Sequence, residues 1–204
     1  MDEDEFKRAV RRGDVQTVRR GPQAGRDVNQ SLPGSLDSRT ALHWASVNGT
    51  TEMVKLLIQH RADMNARDKT GMTALHVASM NGKTETVELL IQHGADVEAR
   101  DKDGRTALHA ASRNGKTETV ELLIQHGADV EARDSDGRTA LHAASRNGKT
   151  ETVELLIQHG ADVEARDSDG RTALHWASMI GHSWMMQLLI RHGAEVEARD
   201  RIVT

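Results

Sequence analysis

Cysteine is absent from the 204-residue chain, so it can build no disulfide framework, thiolate metal site or thiol nucleophile. That suits a reducing compartment. Aromatic residues are 2% of the chain against 37% hydrophobic residues overall, which leaves Leu, Ile, Val and Ala to supply an aliphatic interior. No apolar run approaches the roughly 18 residues that would span a membrane. Neither sign of charge dominates: 27 Lys and Arg against 31 Asp and Glu leave a net charge of −4. The signs are interspersed, so global charge argues for neither a nucleic-acid nor a membrane partner. Met1 is followed by Asp2, Glu3, Asp4 and Glu5 rather than by the basic and apolar segments of a secretory signal. The expected setting is intracellular, cytoplasmic or nuclear.

What the chain has in abundance is itself. The segment from Asp101 to Arg133 reads DKDGRTALHAASRNGKTETVELLIQHGADVEAR and recurs from Asp134 to Arg166 with Ser135 in place of Lys102 as the sole change. The copy before, Asp68 to Arg100, departs from it at Thr70, Met72, Val77 and Met80. The copy after, Asp167 to Arg199, keeps the frame but is rewritten through its second half, and an earlier copy enters at Thr40. A fixed period of this size is the mark of a stacked solenoid, in which each unit touches only its neighbours.

Within one unit, Thr106 to Asn114 places Ala107, Leu108, Ala110 and Ala111 at helical spacing behind a hydroxyl able to cap the free N–H groups. Asn114-Gly115 marks a turn. Thr117 to His126 then carries Val120, Leu122, Leu123 and Ile124, with Glu118 in its first turn and Gly127 beyond its end, as a helix dipole and a left-handed C-cap favour. From Ala128 to Gly137 small and polar residues dominate, and Asp134-Ser135-Asp136-Gly137 reads as a projecting turn. The few apolar side chains of one unit cannot offset the chain entropy of 33 residues, so the copies on either side must cover its faces.

The pattern D-x-x-G-x-T-A-L-H-x-A followed by G-x-x-x-x-V-x-L-L-I-x-x-G-A-D-V, at a period of 33, resembles the ankyrin repeat over about Thr40 to Arg199. The resemblance implies an all-α solenoid of stacked helix-turn-helix units with projecting finger loops. That family usually has Pro where Ala41, Ala74, Ala107, Ala140 and Ala173 stand, and often Asn where Glu98, Glu131, Glu164 and Glu197 stand. Asn29 and Asn65 keep the latter position. The expected organisation is a single array over 1–204. It comprises a degenerate capping repeat at 1–30, an irregular finger loop at 31–39, copies at 40–67, 68–100, 101–133, 134–166 and 167–199, and a truncated unit or tail at 200–204. In the capping repeat Arg20, Gly21 and Pro22 stand where the next copy has Leu56, Leu57 and Ile58, which argues against a buried face on its second helix.

Eleven histidines invite a metal or acid–base reading. Ten of them form two ladders: His43, His76, His109, His142 and His175 in the first helices, and His60, His93, His126, His159 and His192 at the ends of the second. Stacked helices lie about 8 to 10 Å apart, whereas ligands of one zinc ion sit about 2 Å from it, so adjacent rungs cannot share a metal. The resemblance assigns the first ladder to hydrogen bonds with the finger loops. No phosphate loop, nucleotide fingerprint or paired catalytic carboxylates are present, and a catalytic triad has no reason to recur in every copy. No enzyme activity, metal or cofactor is expected.

If the frame is structural, the positions that differ between near-identical copies are the free ones, and they fall on the finger tip and first helix. In ankyrin-like proteins these elements line a concave groove that grips other proteins. The candidate contacts are Trp44, Val47, Thr70, Met72, Met80, Asp103, Arg105, Arg113, Asp136, Arg138, Arg146, Trp176, Met179 and Ile180. They grade from apolar ends, where Met and Trp suit adaptable contacts, to a charged centre where Arg suits carboxylates. Packing on the helix face is the competing reading for Trp44 and Trp176, and a solvated or ion-paired face for the arginines. In the last copy Lys149 to Val153 are replaced by His182, Ser183, Trp184, Met185 and Met186. Trp184 and Met185 therefore mark a second candidate surface at the C-terminal end, against the alternatives of a cap or a continuing array. The expectation is a non-catalytic, protein-binding, monomeric module, with weak self-association through that end left open. An engineered consensus-type array, or a regulatory or scaffold piece of a larger protein, remains the alternative.

Overall fold

The computed structural model describes residues 3–23, 27–31 and 37–196. Among them lie twelve helices and no strand, with an isolated bridge between Ser31 and Thr40. The helices come in pairs: α1 (Glu3–Arg12) with α2 (Val15–Gln23), α3 (Ala41–Asn48) with α4 (Thr51–Gln59), and α5 (Ala74–Met80) with α6 (Thr84–Gln92). The series continues with α7 (Ala107–Arg113) and α8 (Thr117–Gln125), α9 (Ala140–Arg146) and α10 (Thr150–Gln158), and α11 (Ala173–Met179) and α12 (Ser183–Arg191). First helices stack on first helices from α1 to α11, and second helices on second from α2 to α10, with α12 packed against α11.

The core between the two layers is aliphatic. In the unit of residues 101–133, Ala107, Leu108, Ala111, Val120 and Leu123 are buried, while Leu122 and Ile124 are only partly covered. The same positions recur as Leu75, Val87 and Leu90, and as Leu141, Val153 and Leu156. Each buried Leu contributes about 1.5 to 3 kcal/mol, and roughly half of a unit's chain lies outside its two helices, so contacts between units decide whether the loops order.

The first-helix histidine ties those loops together. Thr106 caps α7 with His109 at the third helical position, whose Nδ1 lies 3.2 Å from the Thr106 N–H and 3.0 Å from its hydroxyl. The other nitrogen, Nε2, reaches the Arg138 carbonyl of the next finger at 2.9 Å. His43, His76 and His142 repeat both bonds, to Met72, Arg105 and Arg171. Successive fingers also pair through the backbone: Lys102 N–H donates to Thr70, Ser135 to Asp103 and Ser168 to Asp136, at 2.8 to 2.9 Å. Glycine is required at the tip, since Gly104 has φ +75° and a Cβ there would lie 2.9 Å from the Ser135 backbone nitrogen.

The Asn-to-Glu exchange in the loops has a physical reason. Asn65 Oδ1 accepts the Asp96 N–H of the next copy at 2.9 Å while its Nδ2 donates to the Gly94 carbonyl at 3.4 Å. Glu98 and Glu131 accept the equivalent N–H of Asp129 and Asp162 at 3.0 Å. The acceptor is retained and the donor is lost.

Two sequence expectations are revised. The second helix of the N-terminal unit forms through Gln23 despite Gly21-Pro22, because the fully buried Val18 supplies its inward face and Arg20 is left exposed. Pro22 sits in the last turn, where its missing N–H removes one terminal bond. Met185 is buried at 1% exposure and belongs to the core rather than to a surface patch. It occupies the position of Thr119 and Thr152, which face back toward the preceding unit: Thr119 Oγ1 lies 2.9 Å from Thr84 Oγ1. The irregular finger between 31 and 39 falls largely, and the 200–204 tail wholly, outside the described residues.

Candidate functional site

The first helices and fingers enclose a cleft of about 530 Å³ that runs from Met72 and Met80 past Arg105, Arg113, Arg138 and Arg146 to Trp176. Its floor includes Ala110 and Ala143, small residues that let the groove deepen in the two central units. Val77, at the same helical position in the preceding unit, is fully buried and therefore no contact residue.

The four cleft arginines divide into two kinds. Arg105 and Arg138, on the fingers, are half-buried and bound: Arg105 Nη1 lies 2.8 Å from Asp103, and Arg138 Nη1 lies 2.6 Å from Asp136. Their Nε atoms also face Asp134 and Asp167 at 3.9 and 4.0 Å. Arg113 and Arg146, the last residues of α7 and α9, are exposed, and no carboxylate among the described residues lies within ion-pair distance of either. Asp101 and Asp134 also line the cleft, but their Oδ1 atoms each accept two finger N–H groups at 2.8 to 3.0 Å. Asp103 and Asp136 neutralise Arg105 and Arg138, so the positive charge the cleft offers is that of Arg113 and Arg146.

Trp176 closes one end. It is 6% exposed, its indole N–H donates to Asp167 Oδ2 at 3.0 Å, and Arg138, Arg146 and Arg171 approach its ring centroid to 5.1, 4.8 and 5.3 Å. Such contacts hold guanidinium groups in place while leaving their edges free. Trp44, the residue of the same helical position in α3, lies outside the cleft, half-buried beneath Arg11 at 4.5 Å and Arg39 at 5.7 Å. Both tryptophans are thus largely packed. Thr70 and Asp103 are exposed on finger tips, where Thr70 Oγ1 donates to Asp68 at 2.6 Å; Val47 is half-buried at the end of α3.

The cleft walls include residues that sequence reasoning left out: His76, His109, His142, Asn114 and Asn147. The asparagines were legible, since Asn114 stands four residues after Ala110 on one face of the helix. Its Nδ2 donates to the Ala110 carbonyl at 2.8 Å. The histidines are engaged on both nitrogens. Burial pushes His43, His76, His109 and His142 below the ordinary imidazole value of 6.5, outweighing the carbonyl bonds that raise it, so they stay neutral near pH 7.

The C-terminal face differs in kind. Met179, Ile180, Trp184, Ile190 and Val196 are exposed by 63%, 43%, 60%, 42% and 71%. Ser178 is exposed where Ser46, Ser79, Ser112 and Ser145 are fully buried. A Cβ on Gly181 would meet none of the described residues within 4 Å, whereas one on Gly115 would meet the Lys149 side chain of the following unit at 2.7 Å. Arg191 lies 5.7 Å from the Trp184 ring.

Paired helices stacked in two layers, with a ladder of capping histidines and hydrogen-bonded fingers, define a helical repeat solenoid. The chain belongs to the ankyrin-repeat family: the family model described as ankyrin repeats in three copies matches residues 6–101, 60–134, 94–167 and 130–200. A stretch of 64 residues, 31% of this chain, is 38% identical to Palmitoyltransferase AKR1 of Naumovozyma castellii. The chain spans about 8% of the length of that curated relative. Among the described residues no helix is long and apolar enough to cross a membrane.

Proposed function

We propose that the chain is a non-catalytic module that holds a protein partner in the concave cleft between finger loops and first helices. The observation that supports this reading is a division of labour. The finger aspartate and the first-helix threonine and histidine that recur in the copies are consumed by internal bonds, while Met72, Met80, Arg105, Arg113, Arg138 and Arg146, at two positions where the copies differ, converge on one cleft. Ion-paired and apolar groups side by side suit recognition of another protein surface. The engaged carboxylates and neutral, doubly bonded histidines leave no titratable group poised as an acid or base there.

Plugging the floor tests this. The double variant Ala110→Trp, Ala143→Trp, with helical content checked by circular dichroism, is expected to lose the proteins that the intact chain captures from an intracellular lysate. An unchanged captured set would overturn the reading.

The exposed Met179, Ile180, Trp184, Ile190 and Val196 support a second, weaker contact, through which copies of the chain associate at high concentration. Sedimentation of the intact chain and of Trp184→Ala at increasing concentration checks it. Monomers for both throughout would remove this contact.

A further inference from the structure

The last residues of α5, α7, α9 and α11 are Met80, Arg113, Arg146 and Met179, one position sampled in four consecutive units. They form a symmetric row: apolar, cationic, cationic, apolar. Met80 lines the cleft beside the two arginines and Met179 continues the row past Trp176 with 63% of its surface exposed. Neither Arg113 nor Arg146 is ion-paired among the described residues, while the ring of Trp176, 4.8 Å away, fixes where the Arg146 guanidinium sits.

Taking the cleft as the binding face, we propose that its occupant is an extended acidic segment in the polyproline II conformation. It carries an apolar residue, two carboxylates and a second apolar residue at every third position. The warrant is a match of periods. Neighbouring units place equivalent residues about 8 to 10 Å apart, the spacing of packed helices. A polyproline II chain has three residues per turn and rises about 3.1 Å per residue, so every third side chain points the same way about 9.3 Å further on. A β-strand does not fit, because side chains three apart point to opposite faces, and those two or four apart advance about 6.6 or 13 Å.

An α-helix with residues at heptad spacing would advance about 10.5 Å. That overshoots the spacing of about 8 to 10 Å between neighbouring units, which the extended chain matches. The row reads alike in both directions, so the segment's polarity is unconstrained. Two carboxylates meet Arg113 and Arg146, the cleft arginines that no carboxylate among the described residues engages, and the apolar residues cover Met80 and Met179.

The test uses the intact chain at low ionic strength and a fluorescein-labelled decapeptide, Leu-Pro-Ser-Glu-Pro-Ser-Glu-Pro-Ser-Leu, read by anisotropy. Three probes serve as controls. The first is a peptide of the same composition with adjacent glutamates, the second a helical peptide carrying the same four residues at heptad spacing, and the third a ten-nucleotide single-stranded DNA. The decapeptide is expected to bind about tenfold more tightly than its rearranged isomer, within the range that two exposed ion pairs supply. The double variant R113E/R146E should lose that preference and regain it for a decapeptide with lysines in place of glutamates. Equal binding of the isomer, preference for the helical peptide or the DNA, or no binding up to about 1 mM would each overturn the proposal. If the plugged cleft loses its lysate partners while the peptides show no spacing preference, the binding face stands and this occupant falls. If plugging changes nothing, both fall.

Discussion

Trp176 and Trp184 stand eight residues apart in one unit and meet opposite surroundings. Trp176 is enclosed at the floor of the cleft, bonded to Asp167 and covered by three guanidinium groups from two other elements and its own finger. Trp184 lies on the outer face of α12, 60% exposed, with the Arg191 guanidinium 5.7 Å from its ring. The contrast extends to the whole unit: Ser112 is buried where Ser178 is exposed, and Lys149 lies over Gly115 where none of the described residues covers Gly181. A residue's burial in this fold is a property of the following copy as much as of its own. The same letters therefore mean different energies at the centre and at the end.

The largest effect that could break this comparison is truncation of the two tryptophans. Trp176→Ala is expected to cost about 3 to 5 kcal/mol in denaturant unfolding, as for buried aromatics. It also leaves Asp167 without its indole donor. Trp184→Ala should remain within about 0.5 kcal/mol. Equal costs would mean that the end is covered as the cleft floor is.

A second, smaller effect separates the histidine ladder from the rest. His43, His76, His109 and His142 have values lowered by burial, so the unfolded chain binds more protons than the folded one just below pH 6.5. Their contribution is complete above about 6.5 and is lost as pH falls from there toward each folded value. Stability should therefore fall with acidification by up to about 1.4 kcal/mol per pH unit for each histidine. His109→Gln should remove one histidine's share of that slope; an unchanged slope between pH 5 and 7 would separate the ladder from the acid response.

The smallest effect sharpens the comparison at one atom. Ser112 Oγ is buried with no hydrogen-bond partner among the described residues. Ser112→Ala should stabilise by about 1 kcal/mol, because an unsatisfied hydroxyl is removed at no cost in packing. Ser178→Ala should be neutral. A loss of stability at Ser112 would reveal a bond that the hydroxyl makes.

Much of the fold is legible from local chemistry. Thr106 and His109 at a capping spacing set the start of α7, and Asn114-Gly115 its end, so helix limits follow to within a residue or two. The row of Met80, Arg113, Arg146 and Met179 is legible too, because the central copies are alike at most other positions and difference itself becomes a signal. What hides in the sequence is cross-unit geometry. Met185 reads as surface because polar threonines precede it in register, yet those threonines face inward toward the unit before. Asp167 and Trp176 meet across nine residues of finger and helix, a contact that depends on how the finger folds back. Arg20, Gly21 and Pro22 argue against a buried face on the second helix, but the inward Val18 supplies one.

Near-identity of the central copies has a consequence at the level of the gene. The finger of Ser135 meets that of Asp103 as the finger of Ser168 meets that of Asp136, and His109 and His142 reach forward to the same kind of carbonyl. Any cut and rejoining that removes or adds one whole 33-residue period between Asp101 and Arg166 creates no new type of junction. The array can therefore change length by recombination between its own copies and remain foldable. Such a change would alter the number of arginines in the row and so the length of the segment it matches, while the two apolar ends stay the same.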